Sequence, residues 1–217
     1  MTKVKDKNTS SWGVQDSEQV YRVKRWGNGY FDIGDTGDIN VTPRYDQPNL
    51  RINMKEIVEE MKTEGIQFPA VIRFHDILRS QVAQLNRTFR NAIEEAKYEG
   101  KYMGVFPVKV NQMREVIEEI VDAGERYDYG LEAGSKPELI AALAYNTNKH
   151  SLTVLNGYKD EEYLKLALLG CKMDRKIVIV IEKFSELYKL IPLIKSMGVK
   201  PMIGLRVKMM VKGRGKW

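Results

Sequence analysis

Short apolar runs alternate with longer amphipathic stretches from about residue 102 to the end of the chain. The runs end near Lys109, Ala133, Gly157, Glu182 and Arg206, at intervals of 24 or 25 residues. Apolar runs of this length between turn residues are typical of buried strands, and spacings of three and four residues are typical of helices. The pattern therefore predicts five repeated βα units, with parallel strands joined by right-handed crossovers.

The part of the chain before this repeat has a different pattern. Residues 29–33 and 38–42 are rich in β-branched and aromatic side chains and flank a turn with two glycines, which predicts a β-hairpin. Residues 54–62 predict a short amphipathic helix, and residues 69–74 predict a strand. From Ile77 the apolar spacing predicts a long helix.

Turn and capping signals refine the repeated units. Ser135 and Glu138 form a capping-box pattern at the start of one helix. Asp160 and Ser185 are expected to cap the two helices that follow. Pro192 falls inside the last of these helices, and we expect a kink there because proline lacks the amide that a helix needs.

Two architectures fit five consecutive βα units: a doubly wound open sheet and a (β/α)₈ barrel. No Gly-x-Gly-x-x-Gly sequence follows the first strand, which disfavours a dinucleotide-binding sheet. In a barrel, the carboxyl ends of the strands form the active face. Lys109, Glu132, Asn156 and Arg206 would then surround one mouth, although five units do not close an eight-stranded barrel.

Lys109 is the first candidate for chemistry. It follows an apolar run, and strand alternation would place it on the same face as Val105 and Pro107. An amine among apolar neighbours loses hydration, which favours the neutral form that attacks carbonyl groups. The alternative is a lysine at a strand end whose stem is packed while its amine reaches water.

Composition limits the other classes of function. Hydrophobic residues make up 43% of the chain and charged residues 29%, as expected for a soluble globular protein. The net charge of +6 comes from mixed basic and acidic residues, so neither a nucleic-acid nor a membrane partner is expected. One cysteine, Cys171, excludes an internal disulfide, and no metal site is predicted. The polar, lysine-rich amino terminus is no signal peptide, and we expect a cytoplasmic protein.

Several segments together carry a resemblance to a known family. The sequence around Lys109, Gly-Val-Phe-Pro-Val-Lys-Val-Asn-Gln, resembles the pyridoxal-phosphate lysine motif of biosynthetic arginine decarboxylases, which have the fold-type-III, alanine-racemase-like architecture. The other matching segments are residues 25–32, 130–139, 156–163, 181–186 and 213–217. The resemblance covers nearly everything from Trp12 to Trp217.

This resemblance implies an α/β fold with a pyridoxal-phosphate-binding (β/α)₈ barrel, of which about five units are present here. It implies that Lys109 bonds covalently to the cofactor and that Glu132, Ala133, Ser135 and Arg206 lie around it. The implied reaction is the decarboxylation of L-arginine to agmatine and carbon dioxide, in polyamine biosynthesis and arginine catabolism. A Mg²⁺ requirement and a homo-oligomeric assembly are implied by the resemblance alone.

The resemblance also suggests a domain organisation. We expect residues 1–11 to be disordered, residues 12–48 to form a β-segment and linker that belong to a second β-domain, and residues 49–217 to form the incomplete barrel. The later strands and the β-domain of this family have no counterpart in the sequence. The chain is therefore expected to be a truncated fragment that is inactive alone.

Other functions stay open on the sequence. The chain could be a non-catalytic, decarboxylase-like binding or regulatory protein, which the missing strands favour and the intact Lys109 motif disfavours. It could also be a pyridoxal-phosphate carrier built on the barrel alone, or a decarboxylase for ornithine or lysine. No carboxylate that would receive a guanidinium group can be identified, so the choice of arginine depends on the resemblance.

Overall fold

The computed structural model describes residues 12–44 and 46–207. The expectations for residues 1–11 and for the motif at 213–217 lie outside these described residues. The chain divides between Ser80 and Gln81 into two compact units. The first contains an antiparallel sheet and the second a parallel sheet.

The antiparallel sheet confirms the predicted hairpin. Phe31 is paired with Val41 and Ile33 with Ile39, and a short third strand adds to the second. The predicted amphipathic helix is also confirmed, and the Asn53 side chain caps it by accepting from two first-turn amides. Two helices before the hairpin were not predicted. The elements are α1 (Val14–Tyr21), α2 (Val23–Gly27), β1 (Phe31–Ile33), β2 (Ile39–Val41), β3 (Ile52–Asn53) and α3 (Met54–Thr63).

The strand predicted at residues 69–74 is wrong. These residues pair with no strand, and the side chain of Val71 is 76% exposed. A short apolar run becomes a strand only where a neighbouring strand accepts its backbone hydrogen bonds. The long helix that follows is confirmed as α4 (His75–Glu95), which begins two residues earlier than predicted.

The parallel sheet has five strands in the order in which they occur along the chain. A doubly wound sheet needs a reversal of strand order, so this sequential order is that of a barrel. The repeated βα pattern is therefore confirmed. The strands are β4 (Val105–Pro107), β5 (Gly130–Ala133), β6 (Leu152–Leu155), β7 (Lys176–Ile181) and β8 (Met202–Leu205).

Four helices connect these strands and bury their apolar faces against the sheet. They are α5 (Arg114–Gly124), α6 (Lys136–Tyr145), α7 (Glu161–Lys172) and α8 (Phe184–Met197). Leu139 and Leu164 from the helices are fully buried against Leu131 and Ile179 from the strands. Each such side chain contributes roughly 1.5–3 kcal/mol by leaving water, so this core fixes where the strands end.

The capping predictions have mixed outcomes. The hydroxyl of Ser135 accepts from an amide of α6, and the carboxylate of Asp160 accepts from an amide of α7, as predicted. The predicted capping box is only half formed, because the Glu138 carboxylate accepts from the amide of Gly134 instead of that of Ser135. The cap predicted at Ser185 is wrong, because α8 already begins at Phe184 and Lys183 occupies the capping position without a side-chain bond. The kink at Pro192 stays a prediction, since α8 extends on both sides of that residue.

Candidate active site

The candidate site lies at the carboxyl ends of the five parallel strands. Lys109 is found there, but not in the predicted setting. β4 ends at Pro107, and residues 108–110 form a 3₁₀ turn that reverses the strand alternation. Val108 is therefore the buried residue and Lys109 is exposed. The predicted burial of the amine among apolar neighbours is wrong, and the alternative of a solvent-reaching amine describes the structure.

Glu132 is the buried charge of this face. It lies opposite Pro107 in the neighbouring strand and is only 5% exposed. Its Oε1 accepts a hydrogen bond of 2.8 Å from the side-chain amide of Asn156. Its Oε2 is buried and has no hydrogen-bond partner among the described residues. A buried carboxylate oxygen without a donor is costly, so this atom offers a place for a donor from a bound group.

The turn between β5 and α6 is built from small residues. Ala133 is fully buried. Its carbonyl oxygen accepts hydrogen bonds from the backbone amide of Asn156 at 2.9 Å and from the hydroxyl of Tyr163 at 3.0 Å. Burial raises the pKa of the Tyr163 phenol, which keeps it a hydrogen-bond donor. Ser135 caps α6, so the amino end of that helix lies at the site face.

The next turn, between β6 and α7, approaches this one closely. Gly157 has a φ of +75°, and a β-carbon at that position would lie 2.3 Å from the carbonyl oxygen of Gly134. Both the left-handed backbone and the close approach require glycine. The two turns therefore form a continuous rim beside Glu132.

Arg206 follows β8, and its nearest acidic partner is Glu182 at the end of the adjacent strand β7. Its Nε lies 3.4 Å from Oε1 of Glu182, and it makes no ion pair with Glu132. The side chain of Arg206 is 55% exposed, and the carboxylate of Glu182 is mostly buried. The sequence analysis did not predict Glu182 as a site residue, although a carboxylate directly after an apolar strand is itself a signal for this face.

Within residues 12–44 and 46–207, no cluster of three or more His, Cys, Asp and Glu side chains could hold a metal ion. No helix in the described part of the chain is long and apolar enough to cross a membrane.

The face fits an aldehyde cofactor that also carries a hydrogen-bond donor. Lys109 supplies an accessible amine that can bond to a carbonyl carbon. The partnerless Oε2 of Glu132 can accept from a bound donor, and the small residues at 133–135 leave room for a flat ring. Pyridoxal phosphate has this chemistry, so the residues present fit that cofactor.

Comparisons with known proteins identify the same region. The family described as "Pyridoxal-dependent decarboxylase, pyridoxal binding domain" matches residues 81–217. The biosynthetic arginine decarboxylase of Bacteroides thetaiotaomicron is 44% identical over 206 residues, which cover 95% of this chain and 32% of that protein. The biosynthetic arginine decarboxylase of Rhodopirellula baltica is 44% identical over 208 residues, which cover 96% of this chain and 31% of that protein.

A solved structure is similar as well. The crystal structure of the biosynthetic arginine decarboxylase SpeA from Campylobacter jejuni matches with a TM-score of 0.78 and 32% identity, over 88% of this chain and 32% of that one. The chain thus spans about a third of the length of the relatives that it matches.

Proposed function

We propose, because the chain belongs to the pyridoxal-dependent decarboxylase family, that the whole protein decarboxylates L-arginine to agmatine and carbon dioxide. The relatives of 44% identity are named biosynthetic arginine decarboxylases, which supports arginine as the substrate and polyamine biosynthesis as the role. The observation that carries the proposal is that the accessible amine of Lys109 and the partnerless carboxylate oxygen of Glu132 lie at the carboxyl ends of two adjacent parallel strands, β4 and β5.

Each residue of the face has a proposed part. Lys109 would hold the cofactor through its amine, which is exposed and therefore accessible to an aldehyde. Glu132 accepts a hydrogen bond through Oε2, while Asn156 fixes the carboxylate through Oε1. Ala133 and Ser135, in the turn between β5 and α6, would border the cofactor. Arg206 would supply positive charge at the end of β8.

Bound pyridoxal phosphate would supply an electron sink for the pair left on the α-carbon when carbon dioxide departs. The residues of the chain orient the bond that breaks and place charges where they develop. Because Glu132 is held by Asn156 before any ligand arrives, its position costs little reorganisation during the reaction.

Further properties of the whole protein belong to the same proposal. We infer a cytoplasmic location and a homo-oligomeric assembly from the family resemblance. A Mg²⁺ requirement comes only from that resemblance, and the described residues provide no metal cluster to support it. Residues 12–48 are proposed to belong to a second, β-rich domain.

A spectral titration tests the cofactor site in this chain. Pyridoxal phosphate should give a visible absorbance band with the wild-type protein, and Lys109→Ala should abolish it. Lys101→Ala is the matched control, because Lys101 is an exposed lysine in the same segment and should leave the band unchanged. A band that persists in Lys109→Ala would refute the assignment.

The substrate is tested with the longest product of the reading frame that contains this chain. L-arginine, L-ornithine and L-lysine are compared in separate assays, and we expect agmatine to be the product formed. Diamine formation from ornithine or lysine, without agmatine, would contradict the choice of arginine. Cofactor binding without decarboxylation of any of the three would favour the non-catalytic alternative.

A further inference from the structure

A buried ion pair lies behind the site face, between the β6–α7 turn and the start of α8. The side chain of Lys159 is 0% exposed and that of Glu186 is 3% exposed, and Nζ lies 3.5 Å from Oε2. Burial lowers the pKa of Lys159, and the neighbouring carboxylate of Glu186 opposes that shift. Two charges removed from water cost several kcal/mol each, so such a pair is weak evidence for a stabilising role.

Both members of the pair make further hydrogen bonds, and two of these bonds lead to Glu182. The carboxylate of Glu186 accepts from the backbone amides of Lys159 and Glu182, each at 3.0 Å. The ammonium of Lys159 donates to the carbonyl of Gly157. The amide of Gly157 in turn donates to Oε1 of Glu182 at 2.6 Å. Glu182 is thus held at its backbone by Glu186 and at its side chain by the turn that Lys159 fixes.

Glu182 connects this arrangement to the site. Its Oε1 is also the atom nearest Nε of Arg206, at 3.4 Å. An arginine that is 55% exposed has many rotamers available, and a fixed carboxylate selects among them. A chain of contacts therefore connects the buried pair of Lys159 and Glu186, which a substrate cannot reach, with the accessible guanidinium of Arg206 on the site face.

We propose that Lys159 and Glu186 are positioning residues that fix the Glu182 carboxylate and, through it, orient Arg206. This role rests on the proposed function, because Arg206 faces the proposed pyridoxal phosphate site. The competing explanation is that the pair only joins the amino ends of α7 and α8, which would affect stability without acting through Arg206.

A double-mutant cycle separates the two explanations. The dissociation constant of pyridoxal phosphate is measured for wild type, Lys159→Met, Arg206→Gln and the double variant. When Arg206 is present, we expect Lys159→Met to weaken binding by roughly tenfold. In the Arg206→Gln background it should have almost no effect, because substitutions within one network have non-additive effects. Equal weakening in both backgrounds would refute the positioning role.

Lys165→Met is the matched control for this cycle. Lys165 forms an exposed ion pair with Glu161 at 2.7 Å on α7, so the variant removes the same charge without touching Glu182. It should leave cofactor affinity unchanged. Urea unfolding of each variant shows whether it is folded. Glu186→Gln keeps the size of the side chain but only one of the two oxygens that accept from the amides of Lys159 and Glu182, and it replaces Lys159→Met if that protein does not fold.

A second measurement needs no cofactor. The Nε–H signal of Arg206 in a nitrogen-15 NMR spectrum should be distinct in wild type and in Lys165→Met. In Lys159→Met it should move toward the signal of a freely solvated arginine. An unchanged Arg206 signal in Lys159→Met would overturn the positioning role, whether or not the wild-type protein binds pyridoxal phosphate. Failure of the wild-type protein to bind pyridoxal phosphate would count against the proposed function alone.

Discussion

Replacing Gly157 with alanine tests the close approach of the two turns that border Glu132. Gly157 has a left-handed backbone, which costs about 1 kcal/mol for alanine. The added β-carbon would also lie 2.3 Å from the carbonyl oxygen of Gly134, so one of the two turns has to move. Backbone shifts of this kind cost roughly 1–3 kcal/mol, and we expect a total loss of about 3 kcal/mol.

Gly198→Ala provides the control for backbone conformation. Gly198 has a φ of +65°, but nothing lies within 4 Å of the position that a β-carbon would take. We expect this variant to lose only about 1 kcal/mol. Urea unfolding followed by far-ultraviolet circular dichroism measures both variants, because the four helices α5 to α8 of the repeated units contribute to this signal. Equal losses in the two variants would show that the turns are not in tight contact and would refute the structural explanation.

Three further variants probe the surroundings of the site. Tyr163→Phe removes the hydroxyl that donates to the Ala133 carbonyl, and urea titration should show a loss of about 1 kcal/mol, since that carbonyl keeps another donor. Leu139→Ala should cost about 3 kcal/mol in the same assay, because Leu139 is fully buried and the variant leaves a cavity; a loss below about 1 kcal/mol would contradict its place in the core. Lys136 donates to Asp160 at 2.8 Å, which lowers the pKa of Asp160 and raises that of Lys136 to about 12. The ion pair between Lys136 and Asp160 therefore stabilises the fold at pH values above the ordinary carboxyl pKa, and this stabilisation is lost as the pH falls through the lowered pKa of Asp160. The difference in the free energy of unfolding between wild type and Lys136→Met should therefore shrink in acid. A difference that grows in acid would contradict this pairing.

The local signals in the sequence predicted much of the fold because local forces produce it. The five strands, the helices between them and the caps at Ser135 and Asp160 depend on periodicity and on side chains within one turn of helix. The prediction of a strand at residues 69–74 was wrong because a strand depends on more than local forces. A strand needs a neighbour for its backbone, and an isolated apolar run carries no information about whether one is present.

The length of the βα repeat also indicates which residues of neighbouring strand ends can form hydrogen bonds with each other. Asn156 bonds to Glu132 and Gly157 to Glu182, at separations of 24 and 25 residues, which is the length of one βα unit. Residues in equivalent places of successive units lie side by side in a parallel sheet. The sequence therefore determined which neighbours were available to each strand end.

Only the tertiary structure decided which of these neighbours interact. The turn after Pro107 exposes Lys109 and buries Val108, because a 3₁₀ turn breaks the alternation that a strand would continue. Arg206 pairs with Glu182, because β7 and β8 are adjacent and their register brings the two strand ends within reach of an ion pair. The sequence by itself determined that an amine, carboxylates and an arginine would share one face, and three-dimensional packing determined how they are held.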